Sequence, residues 1–331
     1  MVFLQFRSLC SIAAAIAFSF VLGGSSDRNN ISDRNNIKDM GTLRGDILVD
    51  GSGTVFPISE TMAEEFIQEN PEVRVTVGIS GSGGGFKKFC EGVTAITTSD
   101  RPIKKSEIEL CREAGIEFVE IPIAFQGVTV VVSNDNDWAS CMTLEELGKM
   151  WEPGAEVKIN NWNQVRDGFP DEPLSLYGHG TDSQSYDFFT DATHGQEGKS
   201  RGDYIASEDS YIIANWAQSD RGGLMFFDFA DYERNKDVLN LKAIAIKNNQ
   251  GECVLPSRES IQNGRYNPLS SPLFIYVKRE SIENNPVVKD FVEYHISSTN
   301  ADLICEVGYV PMPPEVFSNI SEWFYQLEHR F

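Results

Sequence analysis

The sequence predicts a two-domain α/β protein in which one domain is built from both ends of the chain and the other is inserted between them. Three observations carry that expectation. The chain has 331 residues, 41% of them hydrophobic, enough for about two cores. From residue 47 onward, short β-type runs alternate with amphipathic helical stretches, which implies right-handed crossovers and a doubly wound, mostly parallel sheet in each domain. No change of composition separates the last stretch from the first. The expected division is therefore a discontinuous domain I at 45–127 plus 269–331 and a domain II at 128–268. Two connections, at 125–128 and 266–272, form the hinge.

Taken in order, the chain opens with Arg7 as the only charge before an apolar run at 9–22, then Gly23, Gly24, Ser25 and Ser26. This reads as a secretory signal peptide over residues 1–26, and places the protein in the periplasm or at the cell surface. A tandem Ser-Asp-Arg-Asn-Asn-Ile follows at 26–31 and 32–37. It has no aromatic residue and no face to bury, so 27–44 is a polar linker. Ile47-Leu48-Val49 begins the fold as a strand, and Ile58, Met62 and Phe66 then share one helical face. Val73, Val75 and Val77 alternate as a strand, and Phe86 opens the helix after a glycine-rich loop. Thr94-Ala95-Ile96 is a third strand. In the middle region, 128–132 is β-like and Thr143-Leu144-Glu145-Glu146 is a capping box for a helix through Trp151. Residues 174–177, 222–227, 241–246 and 272–277 read as strands. A helix follows the 174–177 strand from Tyr186, and two more close the chain at 286–296 and 314–327.

Charge and cysteines narrow the chemistry. The net charge of −21 repels nucleic acid and anionic membranes, so neither is an expected partner. It also repels a free anion, so an anion site here has to work through local dipoles. Five cysteines lie beyond the leader. Cys90 and Cys111 flank one strand-and-turn segment and form the first expected bridge, Cys141 with Cys253 the second, and one thiol is left over. The four histidines are scattered and no Cys/His spacing suits a metal, so no metal or cofactor is expected.

Four strand-end loops share one character: small, hydroxyl-bearing, glycine-rich and followed by a helix. They are Gly51-Ser52-Gly53-Thr54-Val55-Phe56, Gly81-Ser82-Gly83-Gly84-Gly85, Ser99-Asp100-Arg101 and Gly180-Thr181-Asp182-Ser183-Gln184-Ser185. Helix N-termini carry unpaired N–H groups and partial positive charge, and glycine lets a ligand come close. Converging on one cleft, such loops can surround a tetrahedral oxyanion. Neither the P-loop nor the GxGxxG spacing is present. A phosphate-ester hydrolase using Ser183 or Ser82 with His179 as base lacks a GxSxG elbow, so no enzyme is expected.

In that order the loops resemble the periplasmic phosphate-binding proteins of bacterial ABC transporters. The stretches at 49–57, 78–85 and 99–102 are similar to that family's first three loops. The segment 178–189 resembles its second-domain loop, most closely in the cyanobacterial branch (PstS and SphX types). Segments at 150–154, 161–165 and 268–277 add to a collinear resemblance over about 45–315. It implies the two-domain periplasmic-binding-protein fold (type II-like), a monomer, and delivery of inorganic phosphate to a membrane permease, with another oxyanion or a phosphate-sensing role as the alternative. It implies backbone donation from Val55 and Phe56 with the Thr54 hydroxyl nearby, Ser82 on the same side, and Ser183, Gln184 and Ser185 opposite. Asp100 matches an acidic acceptor that takes the proton phosphate keeps and sulfate lacks. This chain departs from the pattern twice. His179 stands near where some members carry an arginine, which leaves Arg101 first and Arg201 second as candidates for the balancing cation. Val55 also occupies a position where many members have threonine.

Overall fold

The computed structural model describes residues 43–328. The leader and nearly all of the linker lie outside the described residues. The strands are β1 (Gly45–Gly51), β2 (Val73–Ile79), β3 (Ile96–Ser99), β4 (Phe118–Ser133), β5 (Cys141–Met142), β6 (Ser175–Gly178), β7 (Ile205–Ala206), β8 (Gly223–Asp228), β9 (Leu241–Ala243), β10 (Ala245–Lys247), β11 (Cys253–Val254), β12 (Ser270–Lys278) and β13 (Val310–Pro311). The first seven α-helices are α1 (Phe56–Glu69), α2 (Gly81–Cys90), α3 (Lys105–Glu113), α4 (Leu144–Trp151), α5 (Gln184–His194), α6 (Ser210–Ala217) and α7 (Phe229–Asn235).

The class is α/β as expected, but the sheet is mixed rather than mostly parallel. Its path runs β2-β1-β3-β12-β4-β8-β6-β7, with β9 and β13 also on β4. The outer strands pair in parallel, β1 with β2 and β3, and β6 with β7 and β8. The two long strands between them, β12 and β4, run antiparallel to each other and to β3 and β8. The reason is topological: chain that leaves one half and returns to it must traverse the middle in both directions. Runs at 121–125 and 128–132, which Gln126 and Gly127 separate, are one sixteen-residue strand.

That strand serves two cores. Ile121, Ile123 and Ala124 pack with Ile58, Met62, Phe66 and Phe291. Val128, Val130 and Val132 pack with Trp151, Phe189 and Phe226. The helical spacing read at Ile58, Met62 and Phe66 therefore marks a buried face, and the Thr143 capping box is formed, with Glu146 N–H on the Thr143 hydroxyl at 3.1 Å. One helix begins earlier than expected. The Gly81–Gly85 run is the first turn of α2, not a loop before Phe86. Glycine opposes helix by propensity, but here tertiary contact decides, because a Cβ on Gly85 would lie 2.6 Å from Gly51 Cα.

Both expected bridges are present. Cys90–Cys111 ties α2 to α3, and Cys141–Cys253 ties β5 to β11. The expected leftover thiol is not: Cys305 is also disulfide-bonded, and no free cysteine stands among the described residues.

Candidate functional site

The loops chosen from sequence meet in space. Asp100, at the end of β3, accepts hydrogen bonds on Oδ2 from the hydroxyls of Ser52 (2.8 Å) and Thr54 (3.3 Å), and on Oδ1 from Ser82 (2.7 Å). One carboxylate thus joins three strand ends. The fourth loop reaches across to them, where the Thr54 hydroxyl donates to Gln184 Oε1 at 2.9 Å.

Helices α1, α2 and α5 all point their N-termini into this meeting point without a side-chain cap. Val55 has no side-chain oxygen to offer. Ser80 and Ser183 stand at cap positions, yet their hydroxyls are drawn elsewhere, Ser80 to Asp50 and Ser183 to Ser185 and His179. In α2 and α5 the first-turn N–H groups are therefore open to an external acceptor, whereas in α1 the second residue is Pro57, which has no N–H. Of the two amides expected to donate in the first loop, Phe56 N–H is already bonded to Ser52 O at 3.1 Å. Tyr309 lies behind the other. Its hydroxyl donates to Thr54 O at 2.6 Å, and in a trans peptide this turns the Val55 N–H to the opposite side.

The hydroxyls of Ser183 and Ser185 face His179, whose Nδ1 lies 3.1 and 2.7 Å from them. His179 Nε2 is 2.8 Å from Ser210, which gives its own proton to Asp231. Nε2 is consequently the protonated nitrogen and Nδ1 an acceptor. Burial lowers the His179 pKa despite the nearby charges of Asp231 and Glu208, so the ring is neutral at pH 7. Asp228, at the end of β8, stands 3.8 Å from Nδ1. His179, Asp228 and Asp231 are close enough to enclose an ion, but the ring nitrogens and Asp231 are already held by Ser183, Ser185, Ser210 and Arg234. The trio is a hydrogen-bonded network.

The arginines are paired. Arg101 holds both oxygens of Glu107, at 2.9 and 2.8 Å, beside the first turn of α2. That pairing raises its pKa. Arg201 is 4% exposed, bonded to Asp203 and to the carbonyls of Met150 and Ile159. It fastens the α4 end rather than facing the loops.

Residues 38–299 match the family model described as the PBP superfamily domain. The chain is 44% identical over 272 residues to SphX of Synechocystis, covering 82% of this chain and 80% of that one. It is 32% identical over 306 residues to the phosphate-binding protein PstS of Staphylococcus saprophyticus, with 92% and 90% covered. The chain belongs to the PstS and SphX family of this superfamily. A crystal structure of a possible phosphate binding protein from Planctomyces limnophilus superposes with a TM-score of 0.79 at 38% identity, covering 86% of this chain and 99% of that one. The relatives in that family are binding proteins rather than enzymes, and in this chain one sheet is shared by two halves.

Sequence reasoning passed over Ser52, Asp228 and Tyr309. Ser52 lay inside a chosen loop and obeyed the same rule as Thr54. Asp228 is an acid ending an apolar strand, which is a readable signal. Tyr309 comes from a distant segment, and nothing local marks it.

Proposed function

We propose that this protein captures inorganic phosphate between domain I (45–127 plus 269–331) and domain II (128–268), and delivers it to a membrane ABC permease. The observation that carries this reading is the meeting of four loops around Asp100 and Gln184, two of them opening the uncapped helices α2 and α5. The N–H groups supply donors for a tetrahedral anion, and Asp100 supplies one acceptor. A carboxylate has about four lone-pair sites; two receive Ser52 and Ser82, and the Thr54 proton is shared with Gln184, so a site is left for the proton that phosphate carries. Sulfate has no such proton and meets repulsion.

In this reading the binding set is Thr54, Val55, Ser82, Asp100, Ser183, Gln184 and Ser185, with Phe56 closing the first turn and Arg101 at the edge. Glu107 offsets the Arg101 charge, so dipoles do most of the holding. On the same reading the protein is exported and works as a monomer. Calorimetry with phosphate and sulfate on wild type and Asp100→Asn tests the reading. Only phosphate should bind tightly to wild type, and Asp100→Asn should narrow the preference. An unchanged ratio removes Asp100 from selection, and no heat with any anion removes the function. A chromogenic phosphate ester should stay intact with purified protein.

A further inference from the structure

A cavity of about 110 Å³ lies where the N-terminus of α5 meets the crossing of β4, walled by Ser183, Gln184, Ser185, Gln126, Tyr309 and a single acid, Asp228. The Asp228 side chain is 38% exposed, and it is this cavity that the exposed part faces. Asp228 stands at the cap position of α7 but does not cap that helix. The hydroxyl influence on it comes instead from the Ser185 side chain, which favours the charged form.

The surroundings of Asp228 disfavour its charge. From the end of β6 it faces His179, which is neutral and itself lies near Glu208. From α7 it faces Asp231, a like charge, and Arg234, whose guanidinium is bonded to Asp231. From α5 come only the hydroxyls of Ser183 and Ser185, and from the C-terminal segment the phenol of Tyr309, which burial keeps protonated. Burial first and Asp231 second push the Asp228 pKa up to about 7. An ionised Asp228 would oppose any anion drawn to the α5 N-terminus. A protonated one adds an O–H donor to the same wall.

Resting on the phosphate reading above, we propose that Asp228 is a second ligand-facing acid of the site, donating its proton as a hydrogen bond to the captured oxyanion. Where Asp228 starts ionised, capture draws one proton from solution onto its carboxylate, and no covalent bond of the ligand changes. The two carboxyls then act oppositely. Asp100 accepts from the ligand and Asp228 donates to it, so the site selects an anion that can do both.

The test is phosphate calorimetry from pH 6 to 8.5 in paired buffers of different ionisation enthalpy, on wild type, Asp228→Asn and Asp231→Asn. Phosphate's own titration is common to all three and cancels in the comparison. At pH 8 wild type should take up about one proton more than Asp228→Asn, whose amide donates but does not titrate. Above pH 7 the wild-type affinity should fall roughly tenfold per pH unit more steeply than that of Asp228→Asn. Asp231→Asn, which removes the neighbouring charge, should shift proton uptake to lower pH. Equal uptake by wild type and Asp228→Asn overturns the proposal while leaving phosphate binding intact. Should Asp228→Asn fail to fold, an uptake profile unmoved in Asp231→Asn overturns it instead. Absence of binding heat from wild type at every pH overturns both readings.

Discussion

At Asp100 the hydroxyl protons of Ser52 and Ser82 end on one carboxylate and that of Thr54 is shared with Gln184, so Asp100→Asn perturbs structure as well as selectivity. The amide keeps one acceptor oxygen for three donors, and a stability loss of about 1–3 kcal/mol should appear in urea unfolding without ligand. Tyr309→Phe is the cleaner probe of the first loop. It removes one hydroxyl and frees the Thr54–Val55 peptide to rotate, so affinity should drop by up to about tenfold while the melting temperature barely moves. His295 reports on acid stability. It is 2% exposed, bonded through Nδ1 to Phe291 O, and burial lowers its pKa to about 4. Its contribution is full above the unfolded pKa near 6.5 and is lost as pH falls through 4, about 3 kcal/mol in all. His295→Gln should flatten that limb of a stability–pH curve.

Among the elements, α2 shows where local sequence stops being informative. Its glycines read as a loop because each weakens a helix, yet Gly85 is there so that the helix can lie against β1. A methyl on Gly85 would press on Gly51 and Thr97 and lift the amide end of α2. Gly85→Ala should therefore cost about 1–3 kcal/mol of stability and weaken phosphate binding, both readable by thermal shift with and without ligand. By contrast, β1, β6 and β8 were legible because buried strands are short apolar runs ending at glycine or aspartate, and β12 because of its apolar run at 272–277. All four site loops were legible for the same reason. The ring of hydroxyls on Asp100 was only half visible, because Asp100 could be singled out but its partners are set by register across β1 and β3. How each arginine is engaged depends on folded-back or distant partners, Glu107 for the Arg101 charge and the Met150 and Ile159 carbonyls that hold Arg201 beside its ion pair with Asp203.

For the whole molecule, the bridges differ in reach. Cys141–Cys253 closes a separation of 112 residues and Cys90–Cys111 one of 21. In the chain-entropy picture the first constrains the unfolded chain more, with about 4–5 kcal/mol against about 3. Cys141→Ser/Cys253→Ser should therefore lower the urea midpoint more than Cys90→Ser/Cys111→Ser.

β4 belongs to both cores along one uninterrupted backbone, with Ile121 and Ile123 in one and Val128 and Val130 in the other. Melting either half strips half the ladder from a strand that the other half still needs. Heat should accordingly undo the chain in a single cooperative step, with calorimetric and van't Hoff enthalpies equal. Excising 128–268 as a separate piece would sever that strand, so neither fragment should fold alone.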